Sequence, residues 1–193
     1  MSDRKIDRIK WNIAPLTHTA SGLPFPVFNR LKRLKTPVQI QNFLDSLAIN
    51  HEHQQETYMS PLRSLKQKKA HCLEAALIAC ASLWIHGKRP YLIDLKSITG
   101  DDHIIVPYKV GRYYGALSKT NHATLRFRDP VYLSIRELVL SYFHEYFDLK
   151  NGKKILCSYS VPFDMSLRGT AWITKKECMF DLADEIDASP HIP

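Results

Sequence analysis

The 193-residue chain has few cysteines and few glycines, and it contains no long hydrophobic run. Its four cysteines form no CxxC pair, so neither a disulfide scaffold nor a tetrathiolate zinc site is indicated. The longest nearly unbroken apolar run spans residues 75–85, whereas about 20 apolar residues are needed to cross a bilayer. The first ten residues mix acids and bases and lack the apolar segment of a secretory signal. We therefore expect a cytoplasmic protein without a membrane partner.

Nucleotide-binding signatures are missing as well, since neither GxxxxGK[ST] nor GxGxxG occurs. His51, Glu52 and His53 are adjacent, but they do not place two histidines four residues apart on one helix face. No third ligand matches them, so a zinc site is not indicated. We expect no cofactor and no bound metal ion.

Positive charge is concentrated near the N-terminus. The chain has 27 basic and 19 acidic residues, a formal charge of +8, and residues 1–70 hold 12 of the basic and 5 of the acidic side chains. The densest basic runs are residues 30–35 and 66–69. The favoured interpretation of these runs is that they are solvated basic loops. The alternative is that they bind an acidic partner or a nucleic acid, although no nucleic-acid motif accompanies the charge.

The chain reads as one α+β domain preceded by a basic N-terminal segment. Prolines and a glycine interrupt residues 1–35, which are predicted to form an arm or irregular cover, and residues 36–193 are predicted to form a single domain. Thr36 and Pro37 are typical of a helix start, and a polar loop is expected from about residue 50 to residue 69.

Apolar spacing predicts the remaining elements. A buried helix is expected from about His71 to His86, and a second helix is expected to begin at Ser134, which is followed by Glu137 as in a capping box. Strands are expected at residues 91–95 and 155–163 and on either side of a turn at Val110 and Gly111. The acidic tail after residue 175 is expected to be peripheral.

Cys72 and His103 are the candidate catalytic pair. Cys72 begins the buried helix directly after a lysine-rich loop, and both features favour a thiolate. Cys80, two helical turns later, is expected in the core. His103 follows Asp101 and Asp102 at the start of a strand, where a rigid element would hold its imidazole. A thiol facing an imidazole is the arrangement of a nucleophile with its base.

This order of residues resembles the transglutaminase-like branch of the papain-type cysteine enzyme superfamily. The resembling stretch runs from about His71 to Tyr146, and its segments AHCLEAALIACASLWIHGKRPYLIDL, DDHIIVPY, GALSKTNH and RFRDPVY are similar to an uncharacterised bacterial group. The resemblance implies a papain-like fold in which the Cys72 helix packs on an antiparallel sheet. It also implies Cys72 as the nucleophile and His103 as the base and then the acid.

The third catalytic role departs from that pattern. With the hairpin turn centred between residues 110 and 111, His103 would pair across the sheet with Ser118, where the family usually has an aspartate. A serine accepts an imidazole N–H but does not offset its positive charge. Asn121 is the favoured orienting residue, and Asp129 is the alternative.

The neighbouring polar residues have weaker predicted roles. The Cys72 N–H and the Gln67 side chain are candidate donors to an oxyanion. Glu74 is expected to make a structural hydrogen bond. His71 and His122 lie at element boundaries, where polar surface residues are expected.

The predicted function is thiol-dependent acyl hydrolysis or transfer on an amide, peptide or thioester. One alternative is an inactive binding or scaffold protein of the same fold, because Ser118 replaces the expected carboxylate. The other is a nucleic-acid-associated protein that acts through its basic N-terminal third.

Overall fold

A computed structural model describes residues 9–52, 55–122 and 124–193. An antiparallel sheet carries helices on both of its faces, in agreement with the predicted α+β class. Seven α-helices lie in the described part of the chain: α1 (His18–Ser21), α2 (Phe25–Lys32), α3 (Pro37–Asp45), α4 (Pro61–Gln67), α5 (Cys72–Ile85), α6 (Ile135–Phe143) and α7 (Phe180–Asp187). The strands are β1 (Ala48–Ile49), β2 (Lys69–Ala70), β3 (Tyr91–Ser97), β4 (His103–Val110), β5 (Tyr113–Leu117), β6 (Arg128–Tyr132), β7 (Leu156–Ser160), β8 (Phe163–Asp164) and β9 (His191–Ile192).

The main sheet has the strand order β6-β5-β4-β3-β7-β9, and β8 also pairs with β3. All of its pairings are antiparallel, whereas β1 and β2 form a separate parallel pair. Because β3 and β4 lie in the middle, their residues are covered on both sides. Alternate β3 residues accordingly enter different cores, Leu92 on the α5 side and Ile93 and Leu95 on the α6 side. This explains the continuous apolar sequence of these strands.

Helix α5 occupies the centre of the larger core, as the sequence predicted. Every α5 residue after Cys72 is buried, and α2, α3 and α4 all pack against the helix. The helix begins at the expected residue and ends before Gly87, whose φ of 71° suits a glycine. None of the described helices combines the length and the apolar character required to traverse a bilayer.

The hairpin of β4 and β5 differs from its predicted register. Val110 pairs with Tyr113, so the turn consists of Gly111 and Arg112 and is centred one residue later than predicted. Gly111 takes the first turn position because its φ is 58°, a left-handed value that glycine adopts without strain. The pairing continues to Val106 opposite Leu117, and Ser118 is therefore not directly opposite His103.

Three segments are more ordered than the sequence indicated. Residues 18–32 contain α1 and α2, residues 61–67 of the predicted polar loop form α4, and the acidic tail forms α7 and β9. These helices are only four to eight residues long, and helices of that length depend on packing for their stability. Leu31 of α2 and Leu182 of α7 supply such contacts in the larger core.

Candidate active site

Cys72 lies at the mouth of a cleft of about 510 Å³. The cleft is bounded by residues 49–52, 71–73, 100–104 and 119–122, together with Glu56, Tyr58, Asp94, Leu125, Tyr146, Ala183, Asp184, Ile186 and Asp187. As the first residue of α5, Cys72 is half-buried, and its N–H is at a helix start where no intrahelical carbonyl accepts it. Cys80 is fully buried in the core, as expected.

His103, the first residue of β4, lies on the same cleft and is buried. Its Nε2 is 2.8 Å from Ser118 Oγ, and this hydroxyl donates its single proton to the Leu125 carbonyl at 2.6 Å. Ser118 Oγ must therefore accept from His103 Nε2–H, which fixes the tautomer of the neutral ring. In this tautomer the second nitrogen, Nδ1, carries no proton and is the ring nitrogen that can accept one.

The surroundings of Cys72 favour the thiolate. Burial alone would raise the pKa of the thiol, but hydrogen bonds from His103 and His71, together with the positive charges of these rings, lower the pKa to about 5. Thiolate is the reactive form of cysteine. Cys72 and His103 thus line the same cleft, and the thiol is of a kind that readily loses its proton, while the catalytic pairing of the two residues stays a prediction.

Ser118 is held by a helix from the N-terminal part of the chain. The side-chain amide of Gln41, in α3, accepts from the Ser118 N–H at 3.0 Å and donates to the Ser118 carbonyl at 2.7 Å. Both groups are buried. Gln41 therefore fixes the backbone of the residue that orients His103, and no motif in the sequence pointed to this contact.

The three candidate orienting residues have different positions. Ser118 makes the hydrogen bond to His103, despite the shifted hairpin register. Asn121 is exposed and lines the cleft, but the hydrogen bond of His103 Nε2 goes to Ser118. Asp129 is exposed on β6 and does not line the cleft.

His71 is closer to the thiol than the sequence suggested. It is the N-cap of α5 rather than a surface residue, with Nε2 2.6 Å from the Thr57 carbonyl and Nδ1 3.9 Å from Cys72 Sγ. Burial lowers the pKa of His71, but the Cys72 thiolate, then Glu74 and the Thr57 carbonyl, raise it to about 9. The Leu73 N–H also donates to Nδ1 at 3.2 Å, which requires this nitrogen to be unprotonated. Beside the protonated thiol, His71 is therefore a neutral helix cap, and its ring is charged only next to the Cys72 thiolate, where it adds to the effect of His103.

Glu74 has the predicted structural role, but it accepts several hydrogen bonds rather than one. Its fully buried carboxylate accepts hydrogen bonds from four groups: Asn50 Nδ2, Thr57 Oγ1, Met59 N and His71 N. These bonds tie Asn50, Thr57 and Met59, which lie in or beside one wall of the cleft, to the start of α5.

The remaining candidates lie outside this arrangement. Gln67 is exposed at the end of α4 and does not line the cleft. His122 does line it, and its ring contacts Thr124 and the Phe147 carbonyl. His51 is exposed near the cleft, and His53 lies outside the described residues.

A metal ion has one candidate place within the described residues, where Asp94, Asp102 and Asp187 converge. The ammonium group of Lys96 lies among these three carboxylates and pairs with each of them. The Lys96 ammonium group therefore already occupies the position of a cation between these carboxylates, and the donor set does not fit a metal site.

The basic N-terminal run is separate from the cleft. Residues 30–35 span the end of α2 and the turn after it, and Lys35 opens onto a second cavity of about 630 Å³ that Lys88, Arg89 and Lys109 also line. An acidic or nucleic-acid partner for this region stays a prediction.

Replacing Ser118 tests how His103 is held. Ser118→Ala removes the acceptor of His103 Nε2–H, so we expect the pKa of Cys72 to rise by about one unit as the imidazole loses its orientation. The pH dependence of Cys72 alkylation measures this shift. Ser118→Thr keeps the hydroxyl and should restore the profile, while Ser46→Ala, at an exposed serine, is the control. An unchanged profile in Ser118→Ala would show that the hydroxyl does not orient His103.

No protein-family model matches the chain, and no curated protein is significantly similar to it.

Proposed function

We propose that the chain is a thiol-dependent acyl hydrolase or acyl transferase with Cys72 as nucleophile and His103 as general base and acid. The observation that carries this proposal is that His103 lines the same cleft as the low-pKa Cys72 thiol and donates its Nε2–H to Ser118, so that Nδ1 is able to take the thiol proton. The resemblance to transglutaminase-like enzymes of the papain type agrees with this arrangement, although Ser118 stands where a carboxylate is usual.

The chemistry follows from these positions. The Cys72 thiolate attacks the carbonyl carbon of an amide or thioester, and the carbonyl oxygen becomes an oxyanion that the Cys72 N–H at the start of α5 stabilises. The C–N or C–S bond then breaks, and protonated His103 gives its Nδ1 proton to the departing group. Water or an amine attacks the acyl-enzyme after losing a proton to His103, and the thiolate leaves.

Acyl-enzyme formation can be tested before the natural substrate is known. With p-nitrophenyl acetate, we expect a burst of about one p-nitrophenolate per chain and one acetyl group located on Cys72 by peptide mass spectrometry. Cys72→Ser should abolish the burst, and His103→Asn should slow it by about 10² to 10⁴-fold. Cys80→Ser, at a buried core thiol, is the matched control.

The same experiment identifies the main alternative. If wild type and Cys72→Ser release p-nitrophenolate at equal rates, with acetyl groups spread over lysines, the inactive scaffold is the correct assignment. Ser118 would then mark a site that has lost its catalytic carboxylate.

A further inference from the structure

The cleft around Cys72 has a charge opposite to that of the chain. Seven carboxylates and one ammonium group belong to its lining: Glu52, Glu56, Asp94, Asp101, Asp102, Asp184, Asp187 and Lys119. With its histidines neutral, the lining carries a charge of −6, while the remaining residues of this +8 chain carry +14. The acidic groups are therefore concentrated at the one place where the candidate nucleophile meets solvent.

Internal pairing removes little of this charge. Lys96, outside the lining, pairs with Asp94, Asp102 and Asp187 and brings the local charge to −5. His191 Nε2 lies 3.3 Å from Asp94 Oδ2, and even a positive charge on this ring leaves the local charge at −4. Lys119 Nζ donates to two carbonyls near the end of α3, those of Leu44 at 2.9 Å and Leu47 at 2.7 Å. It is thereby held away from the carboxylates.

The acidic groups come from three walls of the cleft. Glu52 and Glu56 lie on the segment between β1 and α4, Asp101 and Asp102 directly precede β4, and Asp184 is an exposed residue of α7. A ligand that reaches Cys72 therefore passes negative charge on several sides. Clefts of one charge sign focus the field and raise the local concentration of ligands of the opposite sign.

We propose that the substrate of this site is a basic peptide segment, with its lysine or arginine side chains against the acidic walls and its carbonyl at Cys72. This inference rests on the proposed acyl chemistry and adds the substrate class. A peptide fits better than a small monocation because the carboxylates are spread over three walls. An anionic substrate would instead meet several like charges near the thiolate.

Charged alkylating reagents test the inference at Cys72 itself. We compare 2-bromoethylammonium, a cation, with iodoacetate, an anion, and divide the ratio of their rates at Cys72 by the ratio for N-acetylcysteinamide, a neutral free thiol. The nucleophilicity of the thiol cancels in this quotient. We expect a quotient of about ten or more at low salt, falling towards one at about 0.5 M salt.

Variants locate the effect. Asp101→Asn combined with Asp184→Asn should lower the quotient by about threefold, because two negative charges are removed from the lining of the cleft that holds the thiol. Glu177→Gln, at an exposed carboxylate outside the lining, should leave it unchanged. A quotient at or below one in wild type, or one that is insensitive to salt, would overturn the inference.

A second measurement does not depend on the thiol. Cys72→Ser should bind tetralysine in a calorimetric titration at low salt, at least tenfold more tightly than tetraglutamate, and the Asp101 and Asp184 substitutions should weaken this binding by about threefold. If tetralysine does not bind, or binds no better than tetraglutamate, the substrate assignment is wrong whatever the reactivity of Cys72. If tetralysine binds as expected but p-nitrophenyl acetate gives no acyl-enzyme, the proposed chemistry fails and the acidic cleft remains a basic-peptide site.

Discussion

Cys72 is expected to react with iodoacetamide at about pH 6 roughly ten times faster than an ordinary exposed thiol. With a pKa of about 5, Cys72 is mostly thiolate at this pH, whereas a thiol of pKa about 8.5 is roughly 0.3% ionised. The ionised fractions differ by about 300-fold, but the less basic thiolate is the weaker nucleophile by about 40-fold. Dividing the first factor by the second leaves Cys72 reacting about ten times faster than the ordinary thiol.

The pH dependence is more diagnostic than the rate. Because the pKa of Cys72 is lowered, its thiolate is lost only as the pH falls through about 5, so alkylation should be nearly constant above about pH 6. His103→Asn removes the first of the interactions that lower the pKa and should move the inflection upwards by about two units. Site-resolved labelling, with exposed Cys157 as the internal reference, measures both effects. An inflection of wild-type Cys72 near pH 8.5 would remove the basis for a catalytic thiol.

Glu74→Ala is expected to destabilise the fold by about 3 to 5 kcal/mol. The substitution leaves four hydrogen-bond donors without the buried acceptor that now serves them, and each unsatisfied buried group has a free-energy cost of about 1 to 3 kcal/mol. For a chain of this size, the melting temperature should fall by about 10 °C. Differential scanning calorimetry or urea unfolding provides the measurement.

A carboxylate at a comparable helix position supplies the control. Glu137, in the first turn of α6, is exposed and accepts a hydrogen bond from the Leu133 N–H at 2.6 Å. Glu137→Ala should therefore lower the free energy of unfolding by only about 1 kcal/mol. Equal effects of the two substitutions would mean that the Glu74 network is not a major source of stability.

Local sequence patterns predicted the central elements well. The apolar spacing of residues 72–85 predicted the buried α5 helix, and Thr36 with Pro37 predicted the start of α3, where the Thr36 hydroxyl accepts from the Gln39 N–H. Cys72 and His103 lie at the start of a helix and of a strand, as local signals predicted, and both line the same cleft. In each case the signal lies within a few residues of the element that it describes.

The missed features depend on partners that are distant in sequence. Gln41 meets Ser118 across 77 positions, and Asn50 meets Glu74 across 24, so neither contact has a local signature. The short α2 and α7 helices were overlooked because their stability comes from packing on the rest of the fold. The turn of the β4–β5 hairpin was predicted one residue too early. The predicted contact between Ser118 and His103 is nevertheless present, because the Ser118 side chain still reaches the His103 ring.

The Gln41 amide acts at Ser118 as a neighbouring strand would, since it offers one donor and one acceptor to a backbone that has passed the end of β5. Sheet pairing is replaced here by a single side chain of a helix that precedes Cys72 by some thirty residues. A fragment beginning after α3 would keep Cys72, His103 and Ser118, yet Ser118 would lose the amide that holds its backbone in place. The N-terminal part of the chain is thus a structural component of the proposed site, and removing it would disturb the position of His103 first.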